Sequence, residues 1–220
     1  MVRYDFVIIN RSFWPIYPVI GEGLLRLAES LAPNKKVAVI TQNHVNIKKL
    51  LNKSGRGVGV NFFPSWAFSK SSSNIFKRIF DSFFFMIWVF CILFITRPKK
   101  IYVSTDPPIL VPFIVSIYSK ITKAKYFYHL QDIHPEATNV VFKINSFFFK
   151  IIKIIDNYTL RNATLIITLN EQMKSVILER SNTQKQILII ENPSVQFNLN
   201  ISVNKTKGFS FTGNIGRLQR

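Results

Sequence analysis

Acid is what this sequence holds least of. Eleven Asp and Glu stand against 29 Lys and Arg, a formal net charge of +18 over 220 residues. No acid at all occurs between Glu29 and Asp81. Such a balance favours anionic partners, namely phosphate-rich membrane surfaces, nucleic acid or phosphorylated substrates, and is silent about fold. Cysteine is nearly absent too. The one present, Cys91, lies inside an apolar run, which excludes a disulfide within the chain and a Cys-based metal site and suits a reducing cytoplasm. Three scattered histidines give no ligand spacing, so no metal is expected. The first apolar run, Phe6 to Asn10, is too brief for the core of a secretory signal, and no export is expected.

What is present is apolar. Hydrophobic residues make up 48% of the chain, enough for a sizeable core. Short β-branched runs read as buried parallel strands at Tyr4–Ile9, Val37–Thr41, Gly57–Phe62, Lys100–Ser104, Tyr126–Leu130, Leu165–Leu169 and Ile187–Ile190. Helical patterns fall between them, at Leu24–Leu31, Ile47–Asn52, Ile75–Thr96, Ile109–Ile121, Ser146–Asn162 and Glu171–Arg180, the last capped by Asn170. Strands alternating with helices predict an α/β fold: a Rossmann-like parallel sheet with helices on both faces. Residues 1–195 form this domain, 196–207 read as a polar linker, and 208–220 as the opening of a second domain.

The uninterrupted run Phe83–Ile95 would reach about 20 Å as a helix, short of the roughly 30 Å hydrocarbon layer. Two readings stand beside each other: a wholly buried core helix, or one that packs on the sheet and dips a face into a membrane interface, flanked by Lys77, Arg78, Arg97, Lys99 and Lys100. A spanning helix is the weaker third.

Acids kept in a basic chain have local work to do, and Asp106, Asp132 and Glu136 fall near strand ends. The stretch Lys125–Thr138 organises the rest. Its aromatic first half is a strand; Gln131, Asp132, His134 and Glu136 then crowd around Pro135, which cannot continue a ladder. That puts them on a loop at a strand's carboxyl end, where open α/β sheets bind ligands. A solvated turn with a helix cap is the plain alternative. Thr105-Asp106-Pro107-Pro108 ends another strand, with Thr or Asp suited to cap the helix that follows. Gly21-Glu22-Gly23 after the first strand reads equally as a phosphate cradle at a helix N-terminus or as turn chemistry. His129, within a strand, reads as a core or cleft histidine. The aromatics sit in apolar runs without interleaved basic residues, which argues against specific nucleic-acid binding.

In chain order, Gly21-Glu-Gly23, Thr105-Asp-Pro-Pro108, Gln131-Asp-Ile-His-Pro-Glu136 and Phe211-Thr-Gly-Asn-Ile-Gly216 together resemble a family 4 retaining glycosyltransferase of the GT-B architecture, as used in bacterial O-antigen, capsule or exopolysaccharide synthesis. The resemblance runs along the whole chain, which matches about the N-terminal half of such an enzyme. It implies that Asp132 and Glu136 are the catalytic acids on the acceptor side of an interdomain cleft. Thr105, Asp106, Gln131 and His134 would contact substrate, with His134 at a position the family often fills with an aromatic ring. Gly21 and Gly23 would face the donor diphosphate, and Gly213, Asn214, Gly216 and Arg217 would begin the loop that grips it. The implied partners are a nucleotide sugar, as co-substrate rather than cofactor, a polyprenyl-diphosphate saccharide acceptor, and an anionic membrane surface on the cytoplasmic side. The donor-phosphate lysine and paired glutamates that the family carries later in its C-domain do not occur in this sequence. A half-length chain is therefore expected to be inactive alone. The alternative is a non-catalytic truncated product, or a membrane-surface or partner-binding domain.

Overall fold

The computed structural model describes residues 3–69, 73–141 and 143–192. The linker at 196–207, the segment 208–220 and, with it, Gly213, Asn214, Gly216 and Arg217 lie outside the described residues. Strands and helices alternate: β1 (Phe6–Ile9), α1 (Pro18–Leu31), β2 (Val37–Asn43), α2 (Ile47–Ser54), β3 (Val60–Trp66), α3 (Ile75–Thr96), β4 (Lys100–Ser104), α4 (Leu110–Thr122), β5 (Lys125–His129), α5 (Glu136–Val141), α6 (Ser146–Asn162), β6 (Leu165–Thr168), α7 (Glu171–Ser181) and β7 (Ile187–Ile189). All seven strands join one sheet in the order β3-β2-β1-β4-β5-β6-β7, and every pair is parallel. The expected Rossmann-like α/β class is what forms.

Local chemistry explains the boundaries. Asparagines start four of the helices: the side chains of Asn46, Asn74, Asn145 and Asn170 accept from the backbone N–H of Lys49, Lys77, Phe147 and Met173. The third strand begins three residues later than its apolar pattern suggests. Gly57 and Gly59 hold φ of 71° and 76°, left-handed values that form a turn and keep the chain out of the sheet until Val60. Pro64 is tolerated within β3 because that strand is the sheet's edge and pairs only with β2.

Period-two alternation sorts the strand residues onto two faces. Val7 and Ile9 join Ala38, Ile40, Ile101, Val103, Tyr126 and Tyr128 in a core with α3, α4, α6 and α7. Ile8 joins Val37, Val39, Phe62 and Tyr102 beneath α1 and α2. Helix α3 gives Phe85, Val89 and Leu93, all fully buried, to the first of these cores. Its opposite side is apolar and exposed, with Phe76 79% accessible and Phe80 62%. The wholly buried reading of α3 is therefore set aside. Among the described residues α3 is the one helix long and apolar enough to cross a membrane, yet a full stripe of it is packed on the sheet.

Candidate active-site cleft

Strand order reverses between β1 and β4, and in doubly wound sheets the crevice outside the carboxyl ends at such a point is where ligands bind. Here that crevice is built by backbone and side chain together. Arg11, just past β1, donates its N–H to the Asp106 carbonyl at 2.9 Å, and the Ser12 N–H donates to the Asp106 carboxylate at 2.7 Å. The Arg11 guanidinium stands 3.5 Å from the same carboxylate and donates to Ser82 Oγ on α3 at 3.2 Å. Asp106 is thus committed to the β1 loop and caps no helix. Helix α4 starts at Leu110 without a side-chain cap, after Ile109 at φ 65°, a left-handed value that costs a β-branched residue energy.

Next along the sheet edge, the Gln131 N–H donates to Thr105 Oγ1 at 3.2 Å, which fixes the β5 loop to the β4 loop. The result is a cavity of about 650 Å³ lined by Arg11, Ser12, Thr105, Asp106, Gln131, Asp132 and His134, with Arg78, Ile79 and Ser82 of α3 forming one wall. Asp132, exposed at its rim, has no ion pair among the described residues, so its carboxylate is open to accept from a ligand hydroxyl. His134 Nδ1 sits 2.8 Å from Thr138 Oγ1, and burial pulls the ring's pKa below the usual histidine value, against the opposing pull of Asp132 and Glu136.

Glu136 does not join this lining. Its carboxylate takes Arg180 at 2.8 Å and Lys153 at 3.4 Å. As the first residue of α5 it also lies at a helix N-terminus, where a negative charge is favoured. The expected pair of cleft acids is therefore split into one open carboxylate and one already bound. Arg180 itself, 3% exposed at its side chain, is a hub. It donates to the His134 carbonyl at 2.5 Å, to Glu136, and to Asp156, which in turn accepts from Tyr128 Oη at 2.9 Å. Burial raises the Asp156 pKa while the Arg180 guanidinium and the Tyr128 hydroxyl work against it. A buried charge pair held by this many hydrogen bonds is costly to break from either side. The cleft loop is thereby anchored to α6 and α7.

The glycines fall elsewhere than the loop expected for them. Proline at the N-terminus starts α1 at residue 18, so Gly21 and Gly23 are inside the helix. Gly21 is needed for close packing: a Cβ there would stand 2.2 Å from the Trp14 backbone nitrogen. Gly23 borders a second, apolar groove of about 420 Å³ with Phe6, Leu24, Tyr102, Phe127 and Ile167. His129 lines this groove as well, its Nδ1 bonded to Tyr102 Oη and its Nε2 buried without a partner among the described residues. Burial holds its pKa down at about 4, so the ring is neutral at physiological pH, as a core or cleft histidine should be.

Three residues were not expected at the site: Arg11 and Arg78 in the cleft, the latter expected only as a cation flanking the apolar run, and Arg180 behind it. Arg11-Ser12 directly follows the first strand, and the switch-point rule applied to that strand would have found it. Arg78 and Arg180 carry no local signal, because only the packing of α3 and α7 brings them to the loop.

No protein-family model matches this sequence, and no curated protein matches it. Solved structures do match in fold. Sucrose-phosphate synthase from Thermosynechococcus elongatus is 12% identical, with 86% of this chain and 48% of that one covered and a TM-score of 0.59. UGT89C1 from Arabidopsis thaliana complexed with UDP is 14% identical, covering 89% and 50%, with a TM-score of 0.52. A UDP-glucosyltransferase from Polygonum tinctorium is 9% identical, covering 94% and 56%, with a TM-score of 0.51. The fold is the Rossmann-like parallel sheet of the GT-B glycosyltransferases. The chain spans about half the length of the structures it matches.

Proposed function

We propose that this chain is the acceptor-side half of a retaining GT-B glycosyltransferase of family 4 that moves a sugar from a nucleotide-sugar donor to a lipid-linked saccharide in bacterial surface-polysaccharide synthesis. The observation that carries the reading is the cleft at the β1/β4 switch point, where an open carboxylate, Asp132, and two arginines, Arg11 and Arg78, line one cavity sized for a saccharide and its phosphate. UGT89C1 is complexed with UDP in one structure and UDP-L-rhamnose in another, which supports a nucleotide sugar as donor.

In this reading Asp132 accepts a hydrogen bond from the incoming acceptor hydroxyl and orients it. Thr105, Gln131 and His134 hold the acceptor sugar, and Arg11 and Arg78 take its phosphate. Glu136 acts at one remove, positioning the loop through Arg180. Transfer with retention proceeds on one face, the leaving diphosphate assisting the acceptor hydroxyl, so the protein contributes orientation and charge stabilisation. The donor is a co-substrate, and no metal enters the scheme. Gly213, Asn214, Gly216 and Arg217 would open the donor-phosphate loop. The protein works at the cytoplasmic face of the plasma membrane as a peripheral enzyme, and transfer requires a donor domain to hold the nucleotide.

The test is sugar transfer from a panel of nucleotide sugars to a polyprenyl-diphosphate saccharide in detergent, by the chain alone and by the chain joined to a GT-B donor domain. Transfer by the joined protein, absent from the chain alone and lost in Asp132→Asn, supports the reading. Transfer unaffected by Asp132→Asn would overturn the role given to the cleft. A non-catalytic membrane-surface domain is the second reading, favoured by the exposed apolar side of α3. It gains if no joined protein transfers sugar while the chain still binds vesicles.

A further inference from the structure

Helix α3 carries two apolar stripes where one would fold the protein. The inner stripe, Phe85, Val89 and Leu93, is spent on the sheet. The outer one, Phe76, Phe80, Phe83, Ile87 and Phe94, recurs at three-, four- and seven-residue steps and is exposed along the helix, about 30 Å at the standard rise. It is not alone. Helix α4 packs between α3 and α6, joined by ring contacts of Phe94 with Tyr118 and of Phe113 with Tyr158. Helix α6 adds exposed Phe147, Phe148 and Ile154 to the same layer. A soluble surface seldom leaves this many large apolar side chains open on one layer without a partner for them.

Charge selects the partner. The only acids within α3, α4 and α6 are Asp81 and Asp156, and both are buried: Asp81 accepts from Gln42 and from the Phe68 and Ser69 N–H groups, and Asp156 holds Arg180. The exposed charges on these helices are all cationic, including Lys77, Arg78, Lys120 and Lys150. Apolar side chains with cations beside them and no exposed acid complement an anionic bilayer, whose headgroups attract the cations while the rings enter the acyl boundary.

We infer that the outer face of the α3–α4–α6 layer docks on an anionic lipid surface and that docking sets the cleft mouth at headgroup level. The orientation follows from α3, whose first turns supply both the start of the outer stripe and one wall of the cleft, Arg78, Ile79 and Ser82. A phosphate anchored in the bilayer would then reach Arg78 and Arg11 without leaving the membrane surface. This orientation rests on the acceptor reading above; docking itself does not.

Cys91, the chain's single cysteine, is exposed on α3 and gives a native probe of the face. Labelled there with an environment-sensitive fluorophore, the protein is titrated with vesicles of phosphatidylcholine, alone or with phosphatidylglycerol. The expected result is a several-fold emission rise with a blue shift on the anionic vesicles only, quenched by nitroxide-bearing lipid. Phe83→Ser with Ile87→Ser should weaken vesicle affinity at least tenfold while the unfolding midpoint stays in place. No vesicle binding, or binding with the label still in water, overturns the inference. So does a blue shift that grows with protein concentration in the absence of lipid, which would mean that a second copy covers the face. Transfer to a soluble short-chain acceptor without docking would sink the docking and spare the enzyme; docking with no transfer by any joined protein would do the reverse.

Discussion

The two sides of the sheet follow the same rule inside and opposite rules outside. Beneath α1 and α2 lies an apolar core, and above it a network of ion pairs: Arg56 contacts Glu22 at 3.2 Å and Glu29 at 2.9 Å, Glu22 also holds Arg26 at 2.7 Å, and Glu29 accepts from the Gly57 N–H at 2.7 Å. Its hydrogen bond with Arg56 holds Glu29 below the usual carboxylate range. On the other side the core is also apolar, but the outer surface of α3, α4 and α6 is apolar and its exposed charges are all cationic. The first side is finished for water and the second for something less polar. A folding requirement explains both inner faces, and the lipid surface proposed above would account for the difference between the outer ones.

The comparison breaks most directly within α3. Phe85→Ala, on the inner stripe, should cost about 4 kcal/mol of unfolding free energy through lost burial and a cavity, while Phe83→Ala, on the outer stripe, should stay within about 0.5 kcal/mol. Chemical denaturation reads both, and equal effects would erase the two-stripe account. A loss of similar size, about 3–5 kcal/mol, is expected for Arg180→Leu, because Asp156 is left charged and buried without its partner. On the α1 side, Gly21→Ala should cost about 3 kcal/mol despite alanine's better helix propensity, since the new methyl meets main chain at Phe13 and Trp14. Thermal melts decide it, and a stabilised variant would show that α1 can move off the loop.

His129 gives the same side a pH dependence. Its folded pKa of about 4 lies below its unfolded value, so between pH 6.5 and pH 4 the unfolded chain binds the extra proton. The contribution is therefore complete above pH 6.5 and is lost as pH falls toward 4, on the order of 3 kcal/mol across that window. Denaturation at pH 7 and pH 4.5, compared between the wild type and His129→Gln, should show a shallower acid limb in the variant. The smallest effect belongs to the water-finished surface: Arg56→Ala should lose about 1 kcal/mol or less, and less still in high salt.

Much of this was legible in the chain. Helices α3 and α6 and strand β4 begin and end where periodicity puts them, and Asn170 caps α7 as its position before Glu171 implies. These are long or well-bounded segments whose local signals agree. The loop 131–136 was legible as a site because its polar cluster follows a buried strand. Its division was not: that Glu136 turns to Arg180 while Asp132 stays open depends on the packing of α7, whose Arg180 is 44 positions along the chain from Glu136. The glycines misled for a related reason. Gly21 reads as a phosphate cradle or a turn when only sequence neighbours are seen, and as a packing residue inside α1 once Trp14 lies against it. Likewise the run 83–95 cannot declare from composition which of its two stripes faces the sheet. Strand pairing decides that.

The most direct measurement is calorimetric titration of a short-chain polyprenyl-diphosphate saccharide into the wild-type chain, Arg11→Ala and Asp132→Asn. Saturable binding by the wild type, weakened at least tenfold by either substitution, is the predicted result. Absence of binding by the wild type, or binding that neither substitution alters, would contradict the cleft as the acceptor site.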